Sequence, residues 1–501
     1  MLTILLACLA SEPVPVYVIA GQSNAEGYGV PHEELSTIDD VTVVWPRRHD
    51  GDDIGPLRAG WGAHENMIGP EYGFGQEMHL HHKGPVVVLK TAWGGKDVWC
   101  DFRSPSAGDF NWAEQLMKSR EEREGRMRTT GAFFNTMVKD IKTGLEKAKT
   151  HLGREDLELA GLVWFQGWND YCQWPVEEDG IPCGRGIIER YAHNLSAMLE
   201  DLRRELKVDS LPIIIGELGI HGTELPKSRE GWALRAFRTA QAEVTNQLPS
   251  CRLAPTACFW DGESEDHWEC HYNGSANSYQ RMGKTFALHL LALDPLPYGQ
   301  DMKWQSNQKG LQTMLRQYPP DNGGLVLWGS SIYRLWERAA AHFPNFEVTN
   351  LAFGGARSWE ALHFAEETLF ITRPSTILYY CGSNDVNAGE DAASIAERFR
   401  LFSELLHDRL PETNILFGAI NRSPEKNARW NVVNEANRLV ASYCETQDGR
   451  TFVDLNQVLE DNDGSTRQDM FLSDNLHLTE RAYDGFARLI QKALRDESQA
   501  P

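Results

Sequence analysis

Serine and histidine residues recur in this sequence at positions where they could act together in nucleophilic catalysis. Ser331 comes shortly after the apolar run Leu325–Trp328, and His477 lies three residues after Asp474. A histidine that reaches a serine hydroxyl can take its proton, and a carboxylate can orient the ring and stabilise the imidazolium that forms. Ser330 is the competing nucleophile, one residue earlier. This part of the chain therefore predicts a serine hydrolase.

A similar pair lies in the first half of the chain. Ser23 follows the apolar run Val14–Ala20, and His271 precedes a helical stretch, but Trp268 stands where the second pair has its aspartate. The orienting acid stays open among three candidates: Asp266, Glu269 and Glu217. A dyad without an acid is also open, because removing the acid of a triad weakens catalysis without abolishing it.

Each half also contains two short strings that follow further apolar runs. The second half has Asn350–Gly355 and Gly382-Ser383-Asn384-Asp385, and the first has Lys90–Gly95 and Trp164–Asp170 at similar spacing. A glycine lets a backbone amide approach a ligand closely. Backbone and asparagine amides are donors of the kind that stabilise the negative charge formed during acyl transfer.

Short apolar runs alternate with amphipathic stretches along the whole chain. The runs are Val14–Ala20, Val86–Leu89, Leu159–Phe165, Leu211–Ile215, Leu325–Trp328, Phe346–Leu351, Thr376–Tyr380, Asn414–Phe417 and Thr451–Leu455. Helical spacing is found in Phe133–Leu152, Gly186–Leu206 and Ser275–Leu293. Continuous apolar runs are typical of strands buried on both faces of a parallel sheet. We therefore predict an α/β fold with parallel sheets, whose active sites lie beyond the carboxyl ends of the strands.

The chain of 501 residues is too long for one ordinary core, so at least two domains are expected. We place the first domain at residues 13–294, a proline-rich and polar linker at 295–322, and the second domain at 323–497. Residues 1–12 resemble a short secretory or lipoprotein signal, with Cys8 as the site of a lipid anchor. Export to the periplasm or beyond is the expectation, and a cytoplasmic location stays open because the apolar run is very short and lacks preceding basic residues.

Charge narrows the range of partners. The formal net charge is −22. This acidic balance argues against nucleic acid and anionic membrane surfaces, because phosphate binding needs basic patches. Beyond residues 1–12, no stretch approaches the ~20 apolar residues of a membrane span.

Neither a cofactor nor a metal is expected. No glycine-rich phosphate-binding string follows a strand. Residues of several metal-ligating types lie close together in the sequence: Asp266, His267, Glu269, Cys270 and His271. Their ligand types differ, and several of them are directly adjacent in the chain. A defined metal site is improbable for such a set. If the protein is exported, Cys172 with Cys183, or Cys251 with Cys258, could form local disulfides.

Residues 323–497 resemble the SGNH (GDSL-type) hydrolases. The resemblance depends on four blocks: Gly329-Ser330-Ser331 with Arg334-Leu335-Trp336, Asn350–Gly355, Gly382-Ser383-Asn384-Asp385 and Asp474-x-x-His477. It implies a flavodoxin-like three-layer fold, with Ser331 as nucleophile and His477 as base, oriented by Asp474. The implied oxyanion hole consists of the amides of Ser331 and Gly355 and the side chain of Asn384. Ser330 stands where the commonest form has aspartate, although a Gly-Ser-Ser form is a familiar subgroup.

Residues 13–294 resemble the sialate O-acetylesterase and acetylxylan esterase group (carbohydrate esterase family six), which is itself SGNH-like. The string Gly21–Gly27, with the sequence Gly-Gln-Ser-Asn-Ala-Glu-Gly, is quite specific to that group. The resemblance implies Ser23 as nucleophile and His271 as base. The implied oxyanion donors are Ser23, Gly95 and Asn169, with Gln166 as a further donor. Substrates of that group are O-acetyl esters on sugars or xylan.

The sequence thus predicts a serine esterase that removes O-acetyl groups from carbohydrates at two Ser–His active sites. The alternative is a single catalytic domain, the second, joined to an inactive carbohydrate-binding domain. The irregular acid near His271 keeps that alternative open.

Overall fold

The protein forms two compact units, Met1–Asp294 and Pro295–Pro501, called here the first and second unit. The computed structural model describes residues 13–48, 51–108, 129–172, 185–223, 225, 227–260, 269–293, 323–461 and 463–497. The predicted signal, at 1–12, and the predicted linker, at 295–322, lie outside the described residues. Cys251 and Cys258 are free thiols, so that disulfide is not formed, and Cys183 is not among the described residues.

The first unit is built on a seven-stranded sheet with the order β3-β2-β4-β1-β5-β6-β7. Its strands are β1 Val14–Gly21, β2 Ile38–Val44, β3 Ile54–Leu57, β4 Val86–Ala92, β5 Leu157–Phe165, β6 Ile213–Gly216 and β7 Cys251–Ala254. Its helices are α1 Ser23–Glu26, α2 Glu71–His82, α3 Ala132–Leu152, α4 Trp168–Cys172, α5 Arg185–Leu206, α6 Arg229–Gln247 and α7 Ala276–Ala292. Short 3-10 turns lie at Pro105–Ala107, Ala257–Phe259 and Glu269–Gly274.

Alternate residues of β1 face two helical layers. Val16 and Val18 belong to the core cluster that includes apolar residues of α3, α5 and α6. On the other face, Tyr17 packs edge-on against Phe74 of α2. The neighbouring strand β5 likewise contacts α7, through Phe165 and Phe286. The central strand is therefore buried on both faces, as its continuous apolar sequence predicted.

The second unit contains a five-stranded parallel sheet with the order β12-β11-β10-β8-β9. Its strands are β8 Leu325–Gly329, β9 Val348–Asn350, β10 Thr376–Tyr380, β11 Asn414–Gly418 and β12 Arg450–Val453. Its helices are α8 Ser331–Arg334, α9 Ala339–His342, α10 Ser358–His363, α11 Ala365–Thr372, α12 Ser383–Ala388, α13 Ala392–Arg409, α14 Trp430–Cys444, α15 Asn456–Leu459 and α16 Glu480–Glu497. Short 3-10 turns lie at Pro424–Arg429 and Gln468–Met470.

The prediction of two α/β domains with mostly parallel sheets is confirmed. It missed β2, β3 and β7, and β3 is antiparallel to β2, which departs from the predicted all-parallel sheet. The first residues of β2 include Asp39 and Asp40, which are exposed, and β3 contains Pro56. Neither segment therefore presents the continuous apolar run by which the other strands were identified.

Both units share one strand order. Without the β2–β3 pair, the strands of each unit, counted along the chain, are arranged 2-1-3-4-5. In this order the second strand lies on one side of the first strand, and the third strand lies on the other side. Ligands bind beyond the carboxyl ends of the strands at this switch point. The strings that follow β1, β4 and β5, and likewise β8, β9 and β10, therefore meet at one edge of each sheet. Within the described chain, no helix is long and apolar enough to cross a membrane.

A fully buried lysine connects several chain segments at this edge of the first unit. Lys90 of β4 donates from Nζ to the carbonyls of Glu26, at 2.8 Å, and Trp61, at 2.6 Å. Its third partner is the Glu71 carboxylate at 2.8 Å, and both side chains of this ion pair are fully buried. Burial lowers the pKa of Lys90, and the Glu71 charge opposes that shift. Lys90 therefore fixes the end of α1, the short helix that begins with Ser23.

Replacing Lys90 alone should strongly destabilise the first unit. Lys90→Met leaves the Glu71 carboxylate buried without its partner, and such losses cost about 3 to 5 kcal/mol. The double variant Lys90→Met/Glu71→Gln should recover part of that loss, because no unpaired charge remains. Urea unfolding of the full chain, followed by tryptophan fluorescence, measures the change. Lys142→Met, which breaks the exposed pair with Glu205, is the control and should cost at most about 1 kcal/mol; an equal effect of both lysine variants contradicts the prediction.

Two candidate active sites

In the second unit, a serine, a histidine and an aspartate form a continuous hydrogen-bonded chain. Ser331 is the first residue of α8, directly beyond β8. His477 Nε2 lies 3.0 Å from Ser331 Oγ, and His477 Nδ1 lies 2.6 Å from Asp474 Oδ2. These contacts place a base against the serine hydroxyl and an acid against the base, which is the geometry of an activated nucleophile.

Local backbone bonds hold the aspartate in place. Asp474 Oδ1 accepts the backbone N–H groups of Leu476, at 3.0 Å, and His477, at 2.9 Å. Asn475 between them adopts a left-handed conformation with φ 59°, which asparagine tolerates better than most residues. The hydrogen bond from His477, followed by that from the Leu476 amide, lowers the pKa of Asp474 to about 2. Asp474 therefore stays ionised across the pH range in which the histidine can act as a base.

The structure distinguishes the two adjacent serines. Ser330 is only 1% exposed, and its hydroxyl has no hydrogen-bond partner in the described part of the chain. Ser331 is partly exposed and contacts His477. The alternative register, with Ser330 as nucleophile, therefore has no base beside it.

Two candidate amide donors lie together in the segments that follow β9 and β10. Gly355 is exposed and has φ 78°, a conformation that favours glycine, with open space where a Cβ would stand. Asn384 Nδ2 donates to the carbonyl of Ala356, the next residue, at 2.9 Å. An asparagine amide has two hydrogens. One of them thus orients the group, and the other is left for a ligand.

Beneath these donors, a buried aspartate joins two loops. The N–H of Ser358 lies 3.0 Å from both carboxylate oxygens of Asp385, and Ser358 Oγ donates to Oδ1 at 2.5 Å. Arg398 Nη1 lies 3.3 Å from the same oxygen. Burial raises the pKa of Asp385, whereas the bonds from Ser358 lower it. Asp385 thus fixes the loop of Gly355 against the helix that begins beside Asn384.

The first unit repeats this arrangement. Asp170 accepts the N–H of Val98 at 3.0 Å and that of Trp99 at 3.2 Å. Burial, followed by the neighbouring Asp97, raises the pKa of Asp170 to about 8. Val98 comes three residues after Gly95, as Ser358 comes three residues after its glycine in the second unit. Each unit therefore has its oxyanion loop held by the aspartate that directly follows the candidate asparagine.

Two glutamines also hold in place the segments that carry the candidate oxyanion donors of the first unit. Gln166 Nε2 donates to Lys96 O, at 3.1 Å, and to Asp170 Oδ2, at 2.6 Å. Both hydrogens of this amide are thus used, so Gln166 supports the loop and does not offer the extra oxyanion donor that we expected. Gln22 Oε1 accepts the N–H groups of Gly167 and Asn169 at 3.1 and 3.2 Å. Gln22 therefore fixes the turn that presents Asn169.

Ser23, Gly95 and Asn169 come together at the edge of the sheet. Gly95 is exposed with φ 73°, and a Cβ placed on it would lie 3.9 Å from Asn169 Nδ2. A Cβ on Gly94 would lie 3.8 Å from Ser23 Cβ. The serine is 6% exposed at the start of α1. The three predicted residues thus occupy one small region.

The loop of His271 is tied to the serine helix, but the ring is not bonded to the serine. Asn24 Nδ2 donates to Cys270 O at 2.9 Å. The His271 ring stacks on Tyr28, with 4.0 Å between ring centroids and 6° between planes. Burial lowers the pKa of His271 to about 4. Among the described residues the ring nitrogens contact only a thiol, Cys270 Sγ, which lies 3.6 Å from Nδ1.

Neither of the two candidate acids that the structure describes is bonded to this histidine. Asp266 and Trp268 lie outside the residues that the structure describes. Glu269 begins the turn that contains His271 and makes no hydrogen bond to its ring. Glu217 Oε2 accepts the backbone N–H groups of Thr256 and Ala257, each at 3.3 Å, so Glu217 supports a different loop.

Within the described ranges, no group of three or more histidine, cysteine, aspartate or glutamate residues could hold a metal ion. Part of the crowded segment weighed above, residues 266–268, falls outside those ranges.

Two family models match the chain, one for each unit. Residues 13–292 match the model described as "Carbohydrate esterase, sialic acid-specific acetylesterase". Residues 322–484 match the model of the "GDSL-like Lipase/Acylhydrolase family". The resemblances that the sequence motifs indicated are thereby confirmed. No curated protein matches the chain.

Solved structures resemble the chain more distantly. A protein from Arabidopsis thaliana is 16% identical, with 56% of this chain and 100% of that chain covered and a TM-score of 0.37. A carbohydrate acetylesterase from Xanthomonas citri is 14% identical, with 56% of each chain covered and a TM-score of 0.34. A GDSL-like lipase from Bacteroides thetaiotaomicron is 15% identical, with 38% of this chain and 98% of that chain covered and a TM-score of 0.33.

Sequence reasoning missed the residues that support the donors. Asp170 and Asp385 each follow the candidate oxyanion asparagine, so the repeated Asn-Asp dipeptide was a usable signal. Gln22 lies inside the specific string of the first unit, but its role depends on a turn 145 and 147 residues away. Tyr28 lies just beyond that string, and nothing in its sequence context indicates the stacked ring of His271.

Removing Asp385 should impair turnover at the second site although the residue does not reach Ser331. Asp385→Ala frees the loop of Gly355, and misplacing a donor by about 1 Å costs on the order of a hundredfold in rate. We expect kcat/KM for 4-nitrophenyl acetate, measured in a Ser23→Ala background, to fall about ten- to a hundredfold. The matched control is Asp391→Ala, which removes an exposed helix-capping bond to the Ser394 amide. The control should lose about 1 kcal/mol of stability and keep its turnover; a similar loss of turnover in both variants contradicts the positioning role.

Proposed function

Because this chain belongs to the sialic acid-specific acetylesterase family of carbohydrate esterases, we propose that it removes O-acetyl groups from carbohydrates at two serine–histidine active sites. Hydrolysis of acyl esters is the activity common to both of its families. The observation that best supports a serine mechanism is the 3.0 Å contact between His477 Nε2 and Ser331 Oγ. The substrate class and the presence of a second site, in the first unit, are the further parts of the proposal.

At the second site, Ser331 Oγ attacks the acyl carbonyl carbon while His477 Nε2 takes the serine proton. The carbonyl oxygen becomes negative and is held by the N–H groups of Ser331 and Gly355 and the free amide hydrogen of Asn384. The tetrahedral intermediate collapses, the ester C–O bond breaks, and the alcohol leaves with the proton from His477. Water then attacks the acyl-serine by the same route and releases the acid.

The first site performs the same steps, but its histidine base, His271, has different surroundings. Ser23 is the nucleophile, and the amide groups of Gly95 and Asn169 receive the negative oxygen. Burial keeps His271 neutral, which is the protonation state that accepts the serine proton. Tyr28 stacks on the His271 ring and fixes its plane.

Serine substitutions test the two-site proposal directly. We expect Ser23→Ala and Ser331→Ala each to retain part of the hydrolysis of 4-nitrophenyl acetate, and the double variant to retain none. Acetate release from O-acetylated sialic acid and from acetylated xylan, followed in parallel, tests the carbohydrate part. Ser330→Ala is the control for the register and should keep the activity of the second site. If Ser23→Ala changes nothing on any ester, the first unit is a carbohydrate-binding module and catalysis is confined to the second.

The pH dependence of the first site should reflect the buried histidine. In the Ser331→Ala variant only the first site acts, and protonation of His271 removes its ability to take the serine proton. Because burial lowers the pKa of His271 to about 4, kcat/KM should stay level as the pH falls from 7 and decline with a midpoint near 4. An acid limb at or above about 6.5, the ordinary histidine value, contradicts this and indicates that a carboxylate pairs with the ring.

A further inference from the structure

An exposed arginine lies close in sequence to the nucleophile of the second unit. Arg334 is the last residue of α8, one helical turn after Ser331, and its side chain is exposed. Its guanidinium makes no hydrogen bond or ion pair with any residue that the structure describes. Two other arginines of this unit have acidic partners: Arg338 lies 3.9 Å from Glu480, and Arg398 lies 3.1 Å from Glu390.

The guanidinium of Arg334 packs against the oxyanion loop. A Cβ placed on Gly354 would lie 3.2 Å from Arg334 Nε and 3.8 Å from its Cζ and Nη2. Gly354 directly precedes Gly355, the candidate oxyanion donor, and both glycines are exposed. Residues three apart on a helix have Cβ atoms about 5 to 6 Å apart, so Ser331 and Arg334 border the same space.

Charge favours a substrate group as the partner of this arginine. The chain has a formal net charge of −22 and thus abundant carboxylates, yet none pairs with Arg334 in the described chain. Asp474, the carboxylate of the candidate triad, is bonded to His477. A guanidinium binds carboxylates through two parallel hydrogen bonds, which sets position as well as affinity.

We propose that Arg334 binds a carboxylate on the substrate, so that the second site prefers acyl esters of acidic compounds such as acetylated acidic sugars. This inference depends on the proposed esterase function of that site. The carboxylate must lie close enough to the ester group for the Arg334 guanidinium to reach it while the ester is at Ser331. Arg334 thereby determines which esters are held in register with Ser331, and it takes no part in the transfer of the acyl group.

A matched pair of esters tests the proposal in the full chain carrying Ser23→Ala. The probes are 3-acetoxybenzoate and 3-acetoxybenzamide, which differ in charge and hardly in shape. The measured quantity is the ratio of kcat/KM for the acid to that for the amide. We expect Arg334→Gln to lower this ratio about tenfold, mainly through KM, because charge-assisted hydrogen bonds contribute on this scale. Arg334→Lys should give an intermediate ratio, since lysine keeps the positive charge but cannot form the two parallel hydrogen bonds of a guanidinium.

Two comparisons make the result decisive. Raising the ionic strength should lower the wild-type ratio, because salt screens exposed charges, and should have less effect in Arg334→Gln. Arg338→Gln removes a neighbouring exposed arginine that is already paired, and it should leave the ratio within about twofold of the parent value. Thermal unfolding of each variant checks that the fold is retained.

The outcomes separate failure of this inference from failure of the proposed function. A ratio that Arg334→Gln leaves within about twofold of the parent, or that Arg338→Gln lowers equally, overturns the assignment of Arg334. If Ser331→Ala in the same background hydrolyses both esters as fast as its parent, the esterase function of the second site has failed instead.

Discussion

The buried aspartate that follows each candidate oxyanion asparagine, Asp170 in the first unit and Asp385 in the second, joins two segments that leave the strands on either side of the central strand. These strands are β4 and β5 around β1, and β9 and β10 around β8. Buried backbone amides need an acceptor, and a buried carboxylate needs several donors, so each loop satisfies what the other lacks. Neither loop alone provides the complete set of bonds. The glycine and asparagine donors therefore acquire fixed positions only when both strands are already paired in the sheet.

The two units hold the histidine base in place by different means. His477 is partly exposed and contacts an ionised aspartate that orients it, whereas His271 is held by burial and by the face of Tyr28. A shared strand order thus supports two electrostatic environments. We infer that duplication of the scaffold does not require the two sites to act on the same ester or in the same range of acidity.

The sequence made the central strands predictable because they are buried on both faces and read as continuous apolar runs, as in β1 and β10. The Asp474–His477 pair was also accessible, since both residues lie within one turn whose spacing is local. Whether His271 has an acid partner was not predictable, because such an acid need not lie near the histidine in the chain. The Asn-Asp dipeptide marked Asp385, but its bonds to Ser358 and its burial depend on the packing of distant segments.

The lengths of the edge strands have a consequence for association between copies. In the two described sheets the outermost strands have three or four residues each: β3, β7, β9 and β12. A short edge strand exposes few unpaired backbone N–H and C=O groups, so a strand of another molecule can form few hydrogen bonds with it. Concentrated solutions of this protein should therefore resist strand-to-strand aggregation even though both sheets have open ends.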